Sequence, residues 1–259
     1  MKNTLKSKNL PVLLPFLAFT LMLMIWELMA RAGWWSSEVF PGPLKVILSM
    51  EELIADGTLF KHVISSLFRV TAGFYLAMAF GIPLGMVLGR REVVKHLLNP
   101  VIHFLRPISP LAWIPLSMLW FGIGDKPAVF LIFLSSFFPL VASTTAAVIS
   151  IDPIFFQVAA NFKFSRFEVI TKIIIPAILP SVFTALRITI GIAWLVVVAA
   201  EMIAVKSGLG YLILDSRNAL RMDYVIDGMI VIGTIGLLID FIMKRLSRVD
   251  SLFWASTAR

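Results

Sequence analysis

Six long apolar runs constrain this chain more than any other feature. They cover residues 10–26 (to 30 if Glu27 is accommodated), 67–88, 100–123, 127–149, 178–205 and 225–243. A helix needs roughly 20 mainly apolar residues to cross a bilayer core, and inside that core each backbone polar group must find a partner within the protein. The runs therefore predict an all-α polytopic membrane protein with about six transmembrane helices. Composition agrees, because 59% hydrophobic and 15% charged residues leave too little polar surface for a soluble domain of 259 residues. The third run carries Pro107, Pro110 and Pro115 and reads as a kinked or broken helix.

Charge sets the orientation. If both termini are cytoplasmic, the inner segments hold Lys2, Lys6, Lys8, Arg90, Arg91, Lys95, Arg106, Lys163, Arg166, Lys172, Lys244, Arg245, Arg248 and Arg259. These fourteen basic residues face four acids, whereas the outer segments hold seven basic residues against eight acids. Lys and Arg collect on the side from which they are not translocated, so both ends are expected inside. The same sorting explains the formal net charge of +8 without nucleic acid as a partner. The lipid bilayer is the expected surroundings.

This reading divides the chain into a cytoplasmic tail (1–9), a first transmembrane helix (10–30) and a periplasmic segment with an amphipathic helix (31–66). A core domain (67–245) with a cytoplasmic loop (152–176) and a second cytoplasmic tail (246–259) follow. The start of the chain also resembles a signal peptide, with Ala30-Arg31-Ala32 in the place of a cleavage site. Its long apolar run and Glu27 favour an uncleaved helix. In the periplasmic segment, Leu44, Val46, Ile47, Met50, Leu53 and Ile54 recur at helical spacing, with Glu51, Glu52 and Asp56 on the other face.

No catalytic or metal chemistry is expected. The chain has no cysteine, which removes thiolate catalysis and cysteine-ligated metal centres. His62, His96 and His103 are too scattered for a metal site, and no nucleophile–base spacing occurs.

The loop between the fourth and fifth runs has structure of its own. Asp152-Pro153 combines an N-cap acid with proline at the first helical position. Phe155, Phe156, Val158 and Ala159 follow, then a break at 163–165, then Phe167, Val169, Ile170 and Ile173. The pattern predicts two short amphipathic helices joined by a bend. Within it, Gln157-Val158-Ala159, three residues, Lys163, nine residues and Ile173-Ile174-Ile175-Pro176 resemble the EAA motif of ATP-binding-cassette importer permeases. Gln157, Val158, Lys163 and Ile175 stand where that motif has Glu, Ala, Gly and Leu. The Lys163 position matters most, since glycine enters a left-handed bend far more easily.

Further blocks are similar to the branch that imports nitrate, bicarbonate, taurine and aliphatic sulfonates. They are the stretch from Leu105-Arg106-Pro107 to Ile114-Pro115-Leu116, then Leu119-Trp120-Phe121-Gly122-Ile123-Gly124, Ala185-Leu186-Arg187-Ile188, Ala199-Ala200-Glu201-Met202 and Ser207-Gly208-Leu209-Gly210-Tyr211-Leu212. The resemblance implies a type I importer permease fold (MetI-like) and a place in the bacterial cytoplasmic (inner) membrane. It also implies a small anion as cargo. The implied partners are a second permease subunit forming a homodimer, two ABC ATPase subunits and an extracytoplasmic substrate-binding protein. No cofactor is expected in this chain, which lacks a P-loop; ATP and Mg would be bound by the partner subunits. Gln157, Ala159, Ala160, Asn161, Lys163, Phe164, Ser165 and Arg166 would form the coupling contact with an ATPase.

Ionisable residues at membrane depth default to functional hypotheses. On the fifth run, Arg187 and Glu201 lie 14 residues apart, about 21 Å along a helix and too far for a direct pair. Arg187 either lines an anion path, with Trp194 on the same side, or pairs with an acid or carbonyl of a neighbouring helix. Glu201 suits a structural or gating role on that path, and Asp240 and Glu27 suit partners of arginine or helix ends. The rival function is a stand-alone secondary transporter, which usually carries matching broken helices in inverted repeats. An intramembrane enzyme is the third reading, and the sequence offers it no active site.

Overall fold

The computed structural model describes residues 10–254, which contain no strand. The chain begins with α1 (Leu10–Arg31), α2 (Pro43–Ala55) and α3 (Thr58–Arg90). It continues through α4 (Glu92–Leu105), a 3₁₀ turn (Pro110–Trp113), α5 (Ile114–Phe121) and α6 (Asp125–Ile149). After α7 (Pro153–Asn161) and α8 (Arg166–Val169), a π-turn (Ile170–Ile174) leads into α9 (Ile175–Ala204). The last helices are α10 (Leu209–Asn218) and α11 (Met222–Trp254).

Among the described residues, five helical stretches are long and apolar enough to cross a bilayer: Leu14–Arg31, Thr58–Arg90, Asp125–Ile149, Arg166–Ala204 and Met222–Leu246. The third apolar run supplies no sixth long helix but a broken one. Gly73 and Gly89 of α3 face Ile132 and Val148 of α6, so those two helices run parallel and residues 91–124 return across the bundle in pieces. Proline lacks an N–H and clashes with the preceding turn; α4 stops at Leu105, and a 3₁₀ turn starting at Pro110 leads into α5. The eight residues of α5 extend only about 12 Å.

The chain divides into two compact units, one of residues up to 60 with 212–230, the other of 61–211 with the residues from 231 onward. In the first unit α2 buries Val46, Ser49 and Leu53, while Leu44, Ile47, Leu48 and Ile54 remain exposed. The apolar stripe read from the sequence is thus divided between an inward and an outward face. Gly57 closes α2 with φ 77°, and the Thr58 N–H donates to Asp56 Oδ1 at 2.8 Å. Residues 58–66, expected in the polar periplasmic segment, are therefore the first turns of α3. On the same unit the buried Ser49 hydroxyl donates to Asp227 Oδ2 at 2.6 Å, and Arg221 bridges Asp223 and Glu52.

In the second unit α3, α6 and α9 supply most of the core. A Cβ at Gly85 would lie 2.6 Å from Thr144 Cβ, and one at Gly89 would lie 2.5 Å from Val148 Cβ. Only hydrogen at those positions lets α3 reach α6, a usual means of close packing between membrane helices. Three apolar clusters stack along the bundle. They centre on Leu131 with Ala200 and Ala204, on Leu140 with Ala77 and Ala185, and on Val148 with Ile178 and Val182. At mid-height Trp194 Nε1 donates to the Ile232 carbonyl at 3.0 Å, tying α9 to α11.

Candidate functional site

The segment from Asp152 to Ile175 is built by three local devices. Asp152 Oδ1 accepts the Ile154 N–H at 2.8 Å, and Pro153 occupies the first turn, where its missing donor costs nothing. At the other end of α7 the Lys163 N–H donates to the Ala160 carbonyl at 3.0 Å and the Phe164 N–H to the Ala159 carbonyl at 2.9 Å. This is the Schellman closure, whose pivot residue is left-handed and usually glycine. Lys163 is that pivot, with φ 51°. The lysine therefore keeps the bend that the motif glycine would make, at a cost of about 1–2 kcal/mol.

The third device opens α8. Ser165 Oγ accepts the Glu168 N–H at 3.3 Å, and Glu168 Oε2 accepts the Ser165 N–H at 2.9 Å, a reciprocal capping box. Lys172 extends it with a 2.8 Å bond to Glu168 Oε1 while its ammonium lies 5.0 Å from the Phe164 ring. Beyond it Pro176 would clash with the Lys172 carbonyl in a regular helix. The turn is instead widened, and the Ile175 N–H reaches the Ile170 carbonyl. From Arg166 to Ala204 the backbone is continuously helical, which joins the bend to α9 without a break.

Ala159 faces inward and is buried, so it is not open to a partner, unlike the surface role the sequence suggested. Gln157, Ala160, Asn161, Lys163, Ser165 and Arg166 are exposed, and Phe164 is half-buried. The apolar surface of the loop comes from residues that sequence reasoning left out of the contact: Ile154, Phe155, Val158, Phe162 and Phe167 are all exposed, the last two at 74%. Behind the bend is a cleft of about 640 Å³ lined by Pro83, Met86, Arg90, Phe164 and Arg166. Arg90 stacks its guanidinium 3.9 Å over the Phe156 ring, a favourable cation–π geometry.

The membrane-depth residues fall into two separate places. Arg187 Nε and Nη2 donate to Asp240 Oδ1 and Oδ2 at 2.9 and 3.2 Å, with Arg187 35% and Asp240 57% exposed. Glu201 and Trp194 are buried within the chain's own packing. Of the three residues expected along a path, Arg187 alone stands partly open. The other two are withdrawn because each has an internal partner.

For Glu201 that partner is Arg69, which the sequence reading passed over. Arg69 Nη1 donates to Glu201 Oε1 at 2.6 Å and to the Ser207 carbonyl at 2.8 Å. Its other nitrogens reach Asp125 Oδ1 and Ser207 Oγ. Glu201 Oε2 accepts from Ser66 Oγ at 2.8 Å and from the Gly210 N–H at 3.0 Å. A carboxylate at the start of α10 also meets the positive end of that helix. The Gly208 N–H donates to His62 Nδ1 at 2.9 Å, and Gly208 has φ 105°, with Glu201 where a Cβ would be. The Ser207-Gly208-Leu209-Gly210 block thus has a physical role: it wraps a buried ion pair. A lone arginine two residues into an apolar run was the available signal for Arg69.

Residues 81–249 match the family model described as the binding-protein-dependent transport system inner membrane component. A Methanocaldococcus jannaschii protein named as an ABC transporter permease is 38% identical, covering 92% of this chain and 90% of its own. The taurine transport system permease protein TauC of Escherichia coli is 34% identical, over 88% and 84% of the two chains. The bicarbonate transport system permease protein CmpB of Synechococcus elongatus is 33% identical, over 92% and 88%. Among solved structures, an inward-facing MetNI methionine ABC transporter chain superposes with a TM-score of 0.66 at 15% identity, covering 74% of this chain and 96% of that one.

Proposed function

This chain belongs to the family of binding-protein-dependent transport system inner membrane components, and we propose that it imports a small anion of the sulfonate, taurine, nitrate or bicarbonate class. As a permease subunit of an ABC importer it forms a membrane component of a transport complex. Two copies of the chain enclose the path, a binding protein delivers cargo from outside, and two ATPase subunits hold ATP and Mg. The chain itself performs no catalysis. It sits in the cytoplasmic membrane with both termini and the loop of residues 152–176 on the cytoplasmic side.

The observation that carries this reading is the loop. Its fold is closed by a Schellman turn and a capping box, yet it leaves Phe155, Phe162 and Phe167 uncovered. Exposed aromatic side chains on a rigid turn suit anchoring in a partner's pockets. The ATPase dimer closes on ATP and pushes α7 and α8, and the continuous backbone into α9 converts that push into a tilt of the membrane helices.

The reading is tested by reconstituting the chain with its ATPase and binding protein and measuring ATP-dependent uptake. Ala160→Glu, or deletion of residues 164–166, is expected to abolish the ATPase response to binding protein while the complex still inserts. Uptake that persists without any ATPase subunit would instead support a secondary transporter.

A further inference from the structure

The ion pair between α9 and α11 is placed where a purely structural pair is costly. Arg187 lies 12 residues into α9, about 18 Å from its start, and both members of the pair are partly uncovered. Charge at that depth is tolerated where it faces water or another protein surface, not lipid. The guanidinium is also underused. Asp240 occupies one edge through Nε and Nη2, while Nη1 makes no hydrogen bond among the described residues. A guanidinium has five N–H donors in a planar fork that matches carboxylates and other oxyanions, so three remain for a second acceptor.

The surroundings leave room for one. Gly191, one turn beyond Arg187, and Gly233, two turns before Asp240, are both exposed, and a Cβ at either would meet no atom within 4 Å. Lys244 follows Asp240 by one turn, so Arg187, Asp240 and Lys244 together carry a single net positive charge. Thr184, on the same face of α9, spends its hydroxyl on the Pro180 carbonyl and does not compete for the guanidinium.

We propose that the Arg187–Asp240 pair is an anion-binding position in the transport path, at which an oxyanion of the cargo displaces the Asp240 carboxylate from the Arg187 guanidinium. Asp240 acts as an internal stand-in for the anion: it neutralises Arg187 when the path is empty and limits how tightly a passing anion is held. The proposal rests on the importer reading above and deepens it by naming where the anion is held.

The chain has no cysteine, so a single introduced thiol is unique within it. Gly191→Cys, in the complex assembled with its ATPase and binding protein in membrane vesicles, is expected to react with a membrane-impermeant, negatively charged methanethiosulfonate. Adding Arg187→Gln should slow that reaction roughly tenfold, the scale of local electrostatic focusing, and should leave a positively charged reagent no slower. No labelling of Gly191→Cys, or equal rates with and without Arg187, overturns the proposal. The charge-swapped pair Arg187→Asp with Asp240→Arg adds a second reading. A pair that only ties α9 to α11 would support uptake in either order, and retained uptake overturns the proposal, while loss of uptake from an intact complex supports it. Labelling requires no turnover, so it reports on this position even where uptake itself fails and the importer reading is at fault.

Discussion

Arg69 Nη1 lies 2.6 Å from Glu201 Oε1, joining side chains 132 positions apart in the sequence. Arg69 is 2% exposed and Glu201 0%. Every oxygen of that carboxylate and most donors of that guanidinium are engaged by Ser66, Asp125, Ser207 and Gly210. A buried pair is stable only when its remaining hydrogen-bonding capacity is met in this way.

Removing one partner should therefore be worse than removing both. Arg69→Met is expected to destabilise the protein by about 3–5 kcal/mol, because it strands a buried carboxylate. The double variant Arg69→Met with Glu201→Leu should lose less than the sum of the two single losses. Thermal unfolding of the purified protein in detergent measures all three, and additive losses would contradict the pairing.

The wrap around this pair makes a sharper forecast about glycine. Gly208→Ala places a Cβ on the Glu201 carboxylate at φ 105°, and a strained position of this kind costs about 1–3 kcal/mol. Gly191→Ala projects into open space within α9 and should be neutral or stabilising by up to about 1 kcal/mol. The same unfolding assay compares them, and equal effects would count against the wrap.

In the loop, Lys163 carries the left-handed turn. Lys163→Gly should relieve its strain and keep or raise the stimulation of the ATPase by binding protein. Lys163→Val, β-branched and poorly tolerated at positive φ, should lower it. Stimulated and basal ATP hydrolysis by the assembled complex are the quantities to compare. The reverse order of the two variants would show that the turn does not govern coupling.

The uncovered aromatic residues separate docking from folding. Phe162→Ala and Phe167→Ala remove side chains that are 74% exposed, so the chain's own stability should move by no more than about 0.5 kcal/mol. Co-purification with the ATPase should fall for both. Undiminished association would place the contact elsewhere on the loop.

Much of the loop was legible because its signals are local. Asp152 satisfies a backbone donor two residues on, and sequence spacing reports such a bond directly. The Ser165–Glu168 capping box is equally local, but the sequence reading passed over it as a simple break. The inward turn of Ala159 and the outward turn of Phe162 were not legible. On a helix of nine residues that is apolar on most sides, periodicity does not say which face packs. The third apolar run, read as kinked or broken from Pro107, Pro110 and Pro115, is broken between Leu105 and Ile114. Hydropathy measures affinity for the bilayer, and three prolines decide whether the backbone can cross it as one helix.

By itself, the sequence determined that the chain is helical and membrane-embedded, and its charge asymmetry set the expected orientation. These follow from sums over many residues, since transfer to lipid and the bias of Lys and Arg are nearly additive. Its spaced motifs also pointed to the importer permeases. Tertiary structure alone decided what each intramembrane charge does. Arg69 and Glu201 are enclosed, Arg187 and Asp240 are left partly open, and the sequence shows no difference between the two pairs. The distinction depends on which helix faces another at a given height, and that is a property of packing among segments far apart in the chain.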